Sequence, residues 1–122
     1  MKFDGFMYDS KRAKKNLVAI YSRVSTSEQA EEGYSIDEQE RLLTEWCKKM
    51  NYEIYKCYSD RGISGKSIKG RPAMQELLKD AQEGKFNIVI TWKISRIARD
   101  MLNLLEIIDI LNRRGIAFRS YS

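Results

Sequence analysis

The 122-residue sequence contains no histidine and only two cysteines, and each scarcity removes a class of chemistry. Without histidine a Ser-His-Asp triad is impossible, so peptidase or esterase chemistry of that type is excluded. Cys47 and Cys57 form no CxxC pair and have no histidine beside them to complete a zinc site. We expect both cysteines to be reduced packing residues in a cytoplasmic protein, with a Cys47–Cys57 disulfide as the alternative.

Long apolar runs are also missing. No segment approaches the roughly 18 apolar residues that a membrane span needs, and residues 1–16 are basic without the apolar core of a signal peptide. Apolar types still make up 43% of the chain, which is enough for one folded domain with its own core. There is no GxxxxGK[ST] loop and no dense carboxylate cluster, so neither a nucleotide hydrolase nor a two-metal nuclease is expected.

The net charge of +5 is unevenly distributed along the chain. Residues 1–16 have a net charge of +3 and residues 60–99 one of +5, whereas residues 17–59 have a net charge of −3. A basic surface favours a phosphate-rich partner, and an ordinary solvated surface is the alternative. We predict a flexible basic arm over residues 1–16 and a single folded domain over residues 17–122.

Strand and helix patterns alternate along that domain. Apolar segments typical of strands cover residues 17–24, 52–58, 86–92 and 116–121. Apolar residues at helical spacing indicate helices over residues 36–50, 72–83 and 100–114. This alternation predicts an α/β fold in three layers, with a mainly parallel sheet and helices on both of its faces.

Local signals support the helix boundaries. Ser35 followed by Glu38 matches a capping box, Pro72 suits the first turn of a helix, and Gly84 and Gly115 are placed to end the next two helices. We expect the core-facing residues of the first two helices to be Ile36, Leu43, Trp46, Cys47, Met50, Met74, Leu77, Leu78 and Ala81. The third helix has more apolar residues than one stripe needs, so it is either buried on two sides or contacts another chain.

The functional groups of such a sheet gather at the carboxyl ends of its strands. At the ends of the first three strands and in the segments that follow them, the fold would bring hydroxyls such as that of Ser25 together with the arginines Arg23, Arg71, Arg96 and Arg99. Four guanidiniums need an anion, and Asp60 alone does not balance them, whereas a phosphate fits their bidentate geometry. Arginines close to a serine can lower the pKa of its hydroxyl and neutralise a phosphoryl transition state.

The motifs YSRVST, SDRGISG, GRP and KISRIARD together resemble the catalytic domain of serine recombinases, the resolvase/invertase family. The spacer STSEQAEEGYSIDEQ is similar to the large-serine branch of that family. The resemblance covers about residues 17–122 and implies a resolvase-like catalytic domain that catalyses site-specific DNA recombination. In the family, the serine of the RVS motif attacks DNA and forms a 5′-phosphoserine link.

The resemblance also implies a role for individual residues. It makes Ser25 the nucleophile, with the remaining catalytic positions at Arg23, Arg71, Arg96, Arg99 and Asp60. Supporting or phosphate-binding positions fall on Tyr21, Gln29, Gln39, Ser64, Gly65 and Ser95. Family members use no metal and no nucleotide cofactor. The implied partners are double-stranded DNA and further copies of the protein, as a dimer and then a synaptic tetramer. The implied location is the cytoplasm, for a protein that is bacterial or encoded by a phage or transposon.

The sequence departs from the family pattern at Ser95, where many smaller members carry an aspartate. That aspartate has been considered as the proton donor to the leaving 3′ oxygen. In this chain we expect an arginine or a water molecule to supply the proton. Family members also continue into a long helix and a DNA-binding region, so we expect this sequence to be a fragment that does not recombine DNA alone. Two alternatives to the recombinase are a non-catalytic DNA-binding or regulatory module with the same fold and a small-molecule-binding doubly wound domain. The latter lacks a GxGxxG phosphate cradle.

Overall fold

The computed structural model describes residues 16–24, 35–61, 70–93 and 101–121. The strands are β1 (Leu17–Val24), β2 (Glu53–Arg61), β3 (Ile88–Thr91) and β4 (Ala117–Ser120). The helices described are α1 (Ile36–Lys49), α2 (Pro72–Gln82) and α3 (Met101–Arg113). No helix in the described ranges has the length and apolarity that crossing a membrane requires.

The four strands form one parallel sheet in the order β2-β1-β3-β4. The chain therefore moves from β1 to one neighbour, β2, and then returns across the sheet to place β3 on the other side of β1. This reversal makes the boundary between β1 and β3 the topological switch point of the sheet. In open α/β sheets, ligands bind in the crevice outside the carboxyl ends of the strands at such a point.

Helices cover both faces of the sheet, which confirms the predicted three-layer α/β class. On one face, Leu43 and Cys47 of α1 pack against Val18 and Ile20 of β1. On the other face, α2 and α3 pack against the sheet and form a second hydrophobic cluster with it. This cluster includes Ala19, Tyr21, Tyr58, Met74, Leu77, Leu78, Ala81, Val89, Ile107 and Leu111. Both faces of the central strand β1 are thus covered, as its near-continuous apolar sequence requires.

The predicted helix signals act as expected. Ser35 Oγ accepts from the Glu38 backbone N–H at 3.1 Å, and the Glu38 carboxylate accepts from the Ser35 backbone N–H at 3.0 Å. Pro72 opens α2. Gly84 and Gly115 follow α2 and α3 with φ angles of 73° and 68°, in the left-handed region that favours glycine after a helix.

Several predicted boundaries and burial assignments were wrong. Strand β2 runs three residues further than predicted and ends at Arg61, because Ser59, Asp60 and Arg61 continue to pair with β1. Met50 is not a core residue, since it follows the last turn of α1 and is exposed. Cys47 is buried as predicted, but Cys57 is exposed on the edge strand β2, and both thiols are free.

The pairing of β1 with β2 contains a register shift that decides which side chains share a face. Val18 pairs with Ile54 but Ala19 pairs with Lys56, which leaves Tyr55 as an extra residue in β2. Side chains alternate between faces along a strand, so one inserted residue moves everything after it to the opposite face. The bulge at Tyr55 thereby places Asp60 on the same face as its register partner Arg23.

Candidate functional site

Two arginines are completely buried at the carboxyl edge of the sheet. Arg23 is the penultimate residue of β1, and Arg71 is the N-cap residue of α2. Both side chains have 0% exposure, and they are among the largest fully buried side chains of the described residues. A guanidinium stays charged at any ordinary pH, so burying two of them is costly unless partners or a bound anion compensate the charge.

Asp60 is a carboxylate on the same face as these arginines, and it is 3% exposed. One of its oxygens accepts a hydrogen bond from the Ala73 backbone N–H at 2.9 Å. The other accepts from the Met74 backbone N–H at 3.1 Å and from the Tyr21 hydroxyl at 2.7 Å. Hydrogen bonding and the helix dipole both stabilise a carboxylate that accepts from backbone amides at the start of a helix.

These bonds make Asp60 the cap of α2, although it lies 12 positions before the first residue of that helix. Arg71 occupies the N-cap position without a side-chain capping bond, and Pro72 has no N–H to satisfy. The first free amides of the helix are those of Ala73 and Met74, and Asp60 accepts from both. The capping function that a local Ser or Asp usually performs is therefore supplied by β2.

Tyr21 lies between Asp60 and Arg71. While its hydroxyl donates to Asp60, it accepts from Nη1 of Arg71 over a long distance of 3.4 Å. The Arg71 guanidinium also lies 5.8 Å from the centre of the Tyr21 ring, within the range of a cation–π contact. Burial and the hydrogen bond to Asp60 raise the pKa of Tyr21, and the charge of Arg71 opposes them only in part. The Tyr21 phenol therefore keeps its proton, which it donates in the hydrogen bond to Asp60, and it is not suited to act as a general base.

Two further contacts hold the backbone at the end of β1. Gln39 of α1 is buried, and its Nε2 donates to the Arg23 carbonyl at 3.5 Å. Thr91, at the end of β3, donates from Oγ1 to the Tyr21 carbonyl at 3.0 Å. Sequence reasoning proposed Gln39 but missed Thr91. The sequence signal for Thr91 was a hydroxyl-bearing residue at the carboxyl end of an otherwise aliphatic strand.

The structure brings together five of the residues proposed from sequence, namely Tyr21, Arg23, Gln39, Asp60 and Arg71. The other seven lie outside the described residues, and they are Ser25, Gln29, Ser64, Gly65, Ser95, Arg96 and Arg99. Within the described part of the site, two buried arginines lie at the same edge of the sheet as one buried carboxylate, whose oxygens accept three hydrogen bonds. Guanidiniums bind phosphate groups in bidentate fashion, so a pair of them at this edge favours an anionic ligand.

Comparison with known proteins identifies the class of domain. Residues 18–122 match the family model described as the resolvase N-terminal domain. The match covers most of the chain, so the chain belongs to this family, and the resemblance stated from the motifs is confirmed.

Solved structures of related domains have the same fold. The N-terminal catalytic domain of TP901-1 integrase superposes with a TM-score of 0.79 at 36% identity, covering 87% of this chain and 77% of that one. A resolvase family site-specific recombinase from Streptococcus pneumoniae gives a TM-score of 0.73 at 35% identity, covering 88% and 72%.

Curated relatives are similar over the same region. A predicted DNA recombinase of Bacillus subtilis strain 168 is 42% identical over 100 residues, which cover 82% of this chain but only 19% of that protein. The DNA-invertase hin of Salmonella typhimurium is 35% identical over 100 residues, which cover 45% of its length. The chain thus spans less than half the length of these two relatives.

Proposed function

We propose that this chain is the catalytic domain of a serine recombinase that cuts and rejoins double-stranded DNA at specific sites through Ser25. The observation that carries the proposal is the pair of fully buried arginines, Arg23 and Arg71, at the carboxyl edge of the sheet. Ser25 follows Arg23 by two residues. The chain's membership of the resolvase family and the recombinases and invertases among its relatives support the same activity.

The proposed reaction is a transesterification at phosphorus. The Ser25 oxygen forms a bond to the scissile phosphorus, the bond from phosphorus to the 3′ oxygen breaks, and the products are a 5′-phosphoserine and a free 3′ hydroxyl. The serine hydroxyl passes its proton to a water molecule as the new bond forms, and the 3′ oxygen gains a proton from an arginine or a water molecule. Religation is the reverse reaction, so the energy of the phosphodiester is retained and no cofactor is required.

The arginines have a defined task in this scheme. Charge accumulates on the non-bridging oxygens of a phosphoryl transition state, and preorganised guanidiniums in a water-poor site stabilise it without having to reorganise. Arg23 and Arg71 are held in place from β1 and from α2. Arg96 and Arg99 follow β3, which is the neighbour of β1 at the topological switch point. We assign all four to the scissile phosphate, with Gln29, Ser64, Gly65 and Ser95 as supporting positions.

Self-association belongs to the same proposal. The first turns of α3 present Met101, Leu102 and Leu105 to the surface, with exposures of 66%, 75% and 54%, whereas Ile107 and Leu111 of the same helix are buried in the core. An apolar face of this kind on a helix favours a protein contact. We assign it to a second copy of the protein, in the dimer and synaptic tetramer that act in the bacterial cytoplasm.

A covalent protein–DNA adduct tests the proposed activity. The natural-length protein that contains this chain is incubated with radiolabelled plasmids carrying the DNA on both sides of its own gene, and the products are separated under denaturing conditions. The wild type should retain label on the protein, and Ser25→Ala should retain none.

Ser22→Ala is the matched control for this experiment. Ser22 lies three residues away, and its buried hydroxyl makes no hydrogen bond within the part of the chain that the structure describes. The control variant should form the adduct at the wild-type rate. An adduct that persists in Ser25→Ala would contradict the proposal, and the loss of the adduct in both variants would point to damage to the fold of β1.

A further inference from the structure

Strand β2 contacts helix α2 with every second side chain on one face. The Lys56 ammonium pairs with the Glu76 carboxylate, and the Tyr58 hydroxyl donates to the Asp80 carboxylate at 2.7 Å. Asp60, the third side chain of this row, accepts the backbone amides at the start of the helix. The three contacts tie α2 to β2 along its length, and only the Asp60 contact lies at the end where Arg71 is located.

The surroundings of Asp60 indicate what its carboxylate does. Its two oxygens accept three hydrogen bonds from protein donors, and the residue is 3% exposed. A general acid or base needs an oxygen directed at the proton that it transfers. The bonds of Asp60 are instead directed at the first turn of α2 and at Tyr21, both of which adjoin Arg71.

We propose that Asp60 is a positioning residue that acts on DNA cleavage through Arg71 and transfers no proton itself. Its carboxylate fixes the backbone of the two residues that follow Pro72 and the hydroxyl that accepts from the Arg71 guanidinium. One carboxylate thereby restrains both the first turn of the helix that begins after Arg71 and the hydroxyl that the Arg71 guanidinium contacts. The proposal rests on the proposed cleavage reaction and adds to it the route by which Asp60 acts.

A double-mutant cycle distinguishes this route from an independent role. In the natural-length protein, Asp60→Asn removes the charge and one acceptor oxygen, and the rate of adduct formation should fall about a hundredfold, since a small displacement of a catalytic group costs that much. In an Arg71→Ala background, the same Asp60→Asn change should alter the residual rate by no more than about twofold, since the group through which Asp60 acts is gone. DNA binding by a mobility-shift assay should be retained in the Asp60→Asn variant.

Two results would overturn the inference. One is an unchanged adduct rate in Asp60→Asn. The other is a loss in the Arg71→Ala background as large as that in the wild type, which would give Asp60 a role of its own. If the wild type formed no Ser25-dependent adduct, the proposed function itself would fail, so the two failures are distinguishable.

A matched pair of tyrosines controls for simple destabilisation. Tyr21 and Tyr58 are both buried, and each donates its hydroxyl to an aspartate at 2.7 Å, but only Tyr21 also contacts Arg71. Tyr21→Phe and Tyr58→Phe should lower the unfolding midpoint by similar amounts, while only Tyr21→Phe slows adduct formation, by about tenfold. Equal effects of the two changes on the rate of adduct formation would contradict the inference, and they would do so even if Asp60→Asn failed to fold.

Discussion

At the scale of single residues, the environment of a side chain decides its chemistry more than its type does. Asp60 is an acid whose oxygens are engaged by amides and a hydroxyl, so it orders a helix. Tyr21 and Tyr58 each donate to a carboxylate, and burial first and then that hydrogen bond raise the pKa of both phenols. Two similar tyrosines therefore remain neutral, while only one of them contacts a candidate catalytic group.

Cys57 shows the same principle at an exposed position. It lies on the edge strand and lines an open groove between α1 and β2 that includes Glu40 and Glu45. Partial burial of the thiol, followed by the charge of Glu40, raises its pKa from 9.0 to about 11. Because the thiolate is the nucleophile, an exposed cysteine in this setting is expected to react slowly.

We predict that iodoacetamide alkylates Cys57 about a hundredfold more slowly at pH 8 than it alkylates an unstructured cysteine peptide, since two pKa units separate their thiolate fractions. The rate should continue to rise with pH beyond pH 10. Mass spectrometry of the alkylated peptides separates Cys57 from the buried Cys47. Glu40→Gln should increase the rate at Cys57, and a peptide-like rate in the wild type would contradict the assigned cause.

At the scale of secondary-structure elements, the helix ends were predictable because their signals are local. The capping box at Ser35 and the glycines after α2 and α3 act within a few residues of where they stand in the sequence. Gly84 and Gly115 have positive φ angles, and a Cβ added to either would meet no heavy atom within 4 Å. Any penalty for a side chain there is therefore conformational and not steric.

Gly115→Ala should lower the free energy of unfolding by about 1 kcal/mol, the cost of an L-residue in the left-handed region. Gly70→Ala is the matched control, since a Cβ there also meets nothing within 4 Å and no positive φ is involved. The control should be neutral or slightly stabilising. Urea denaturation of the two variants measures the difference, and equal losses would show that φ is not the cause.

The features that escaped prediction depend on contacts between elements. The pattern of the strands predicted a parallel sheet, but the order β2-β1-β3-β4 is a property of how the strands assemble. The extra residue Tyr55 has no marker in the sequence, yet it places Asp60 beside Arg23 and Tyr21. The motifs marked Asp60 and Arg71 as site residues. The capping role of Asp60, however, depends on the contact between β2 and the first turn of α2, which the sequence does not show.

At the scale of the whole molecule, the two proposed tasks fall on two surfaces. We assign DNA cutting to the carboxyl edge of the sheet and self-association to the exposed face of α3. The carboxyl edge holds the buried arginines, and in the sequence Ser25 comes directly after β1 while Arg96 and Arg99 come after β3. The α3 face is apolar and lies outside the core. A recombinase has to cut more than one strand and exchange the ends, so cutting and association are expected on separate surfaces.

Leu102→Glu should weaken self-association of the natural-length protein, because a charge would be buried in the proposed contact. The melting temperature should change little, since Leu102 is 75% exposed. Met50→Glu, another exposed apolar position, is the control and should leave association unchanged. Light scattering over a range of protein concentrations measures both variants, and an unaltered oligomer in Leu102→Glu would rule out this face of α3.

The most direct test of the central claim is to locate the DNA attachment on the protein. Trypsin cuts after Arg23 and Arg41, so Ser25 falls in the peptide that covers residues 24–41. We predict that nuclease and trypsin digestion of the denatured adduct leaves a nucleotide joined through its 5′ phosphate to Ser25 of that peptide, identified by fragmentation in the mass spectrometer. A nucleotide on another residue, or one joined through a 3′ phosphate, would contradict the account.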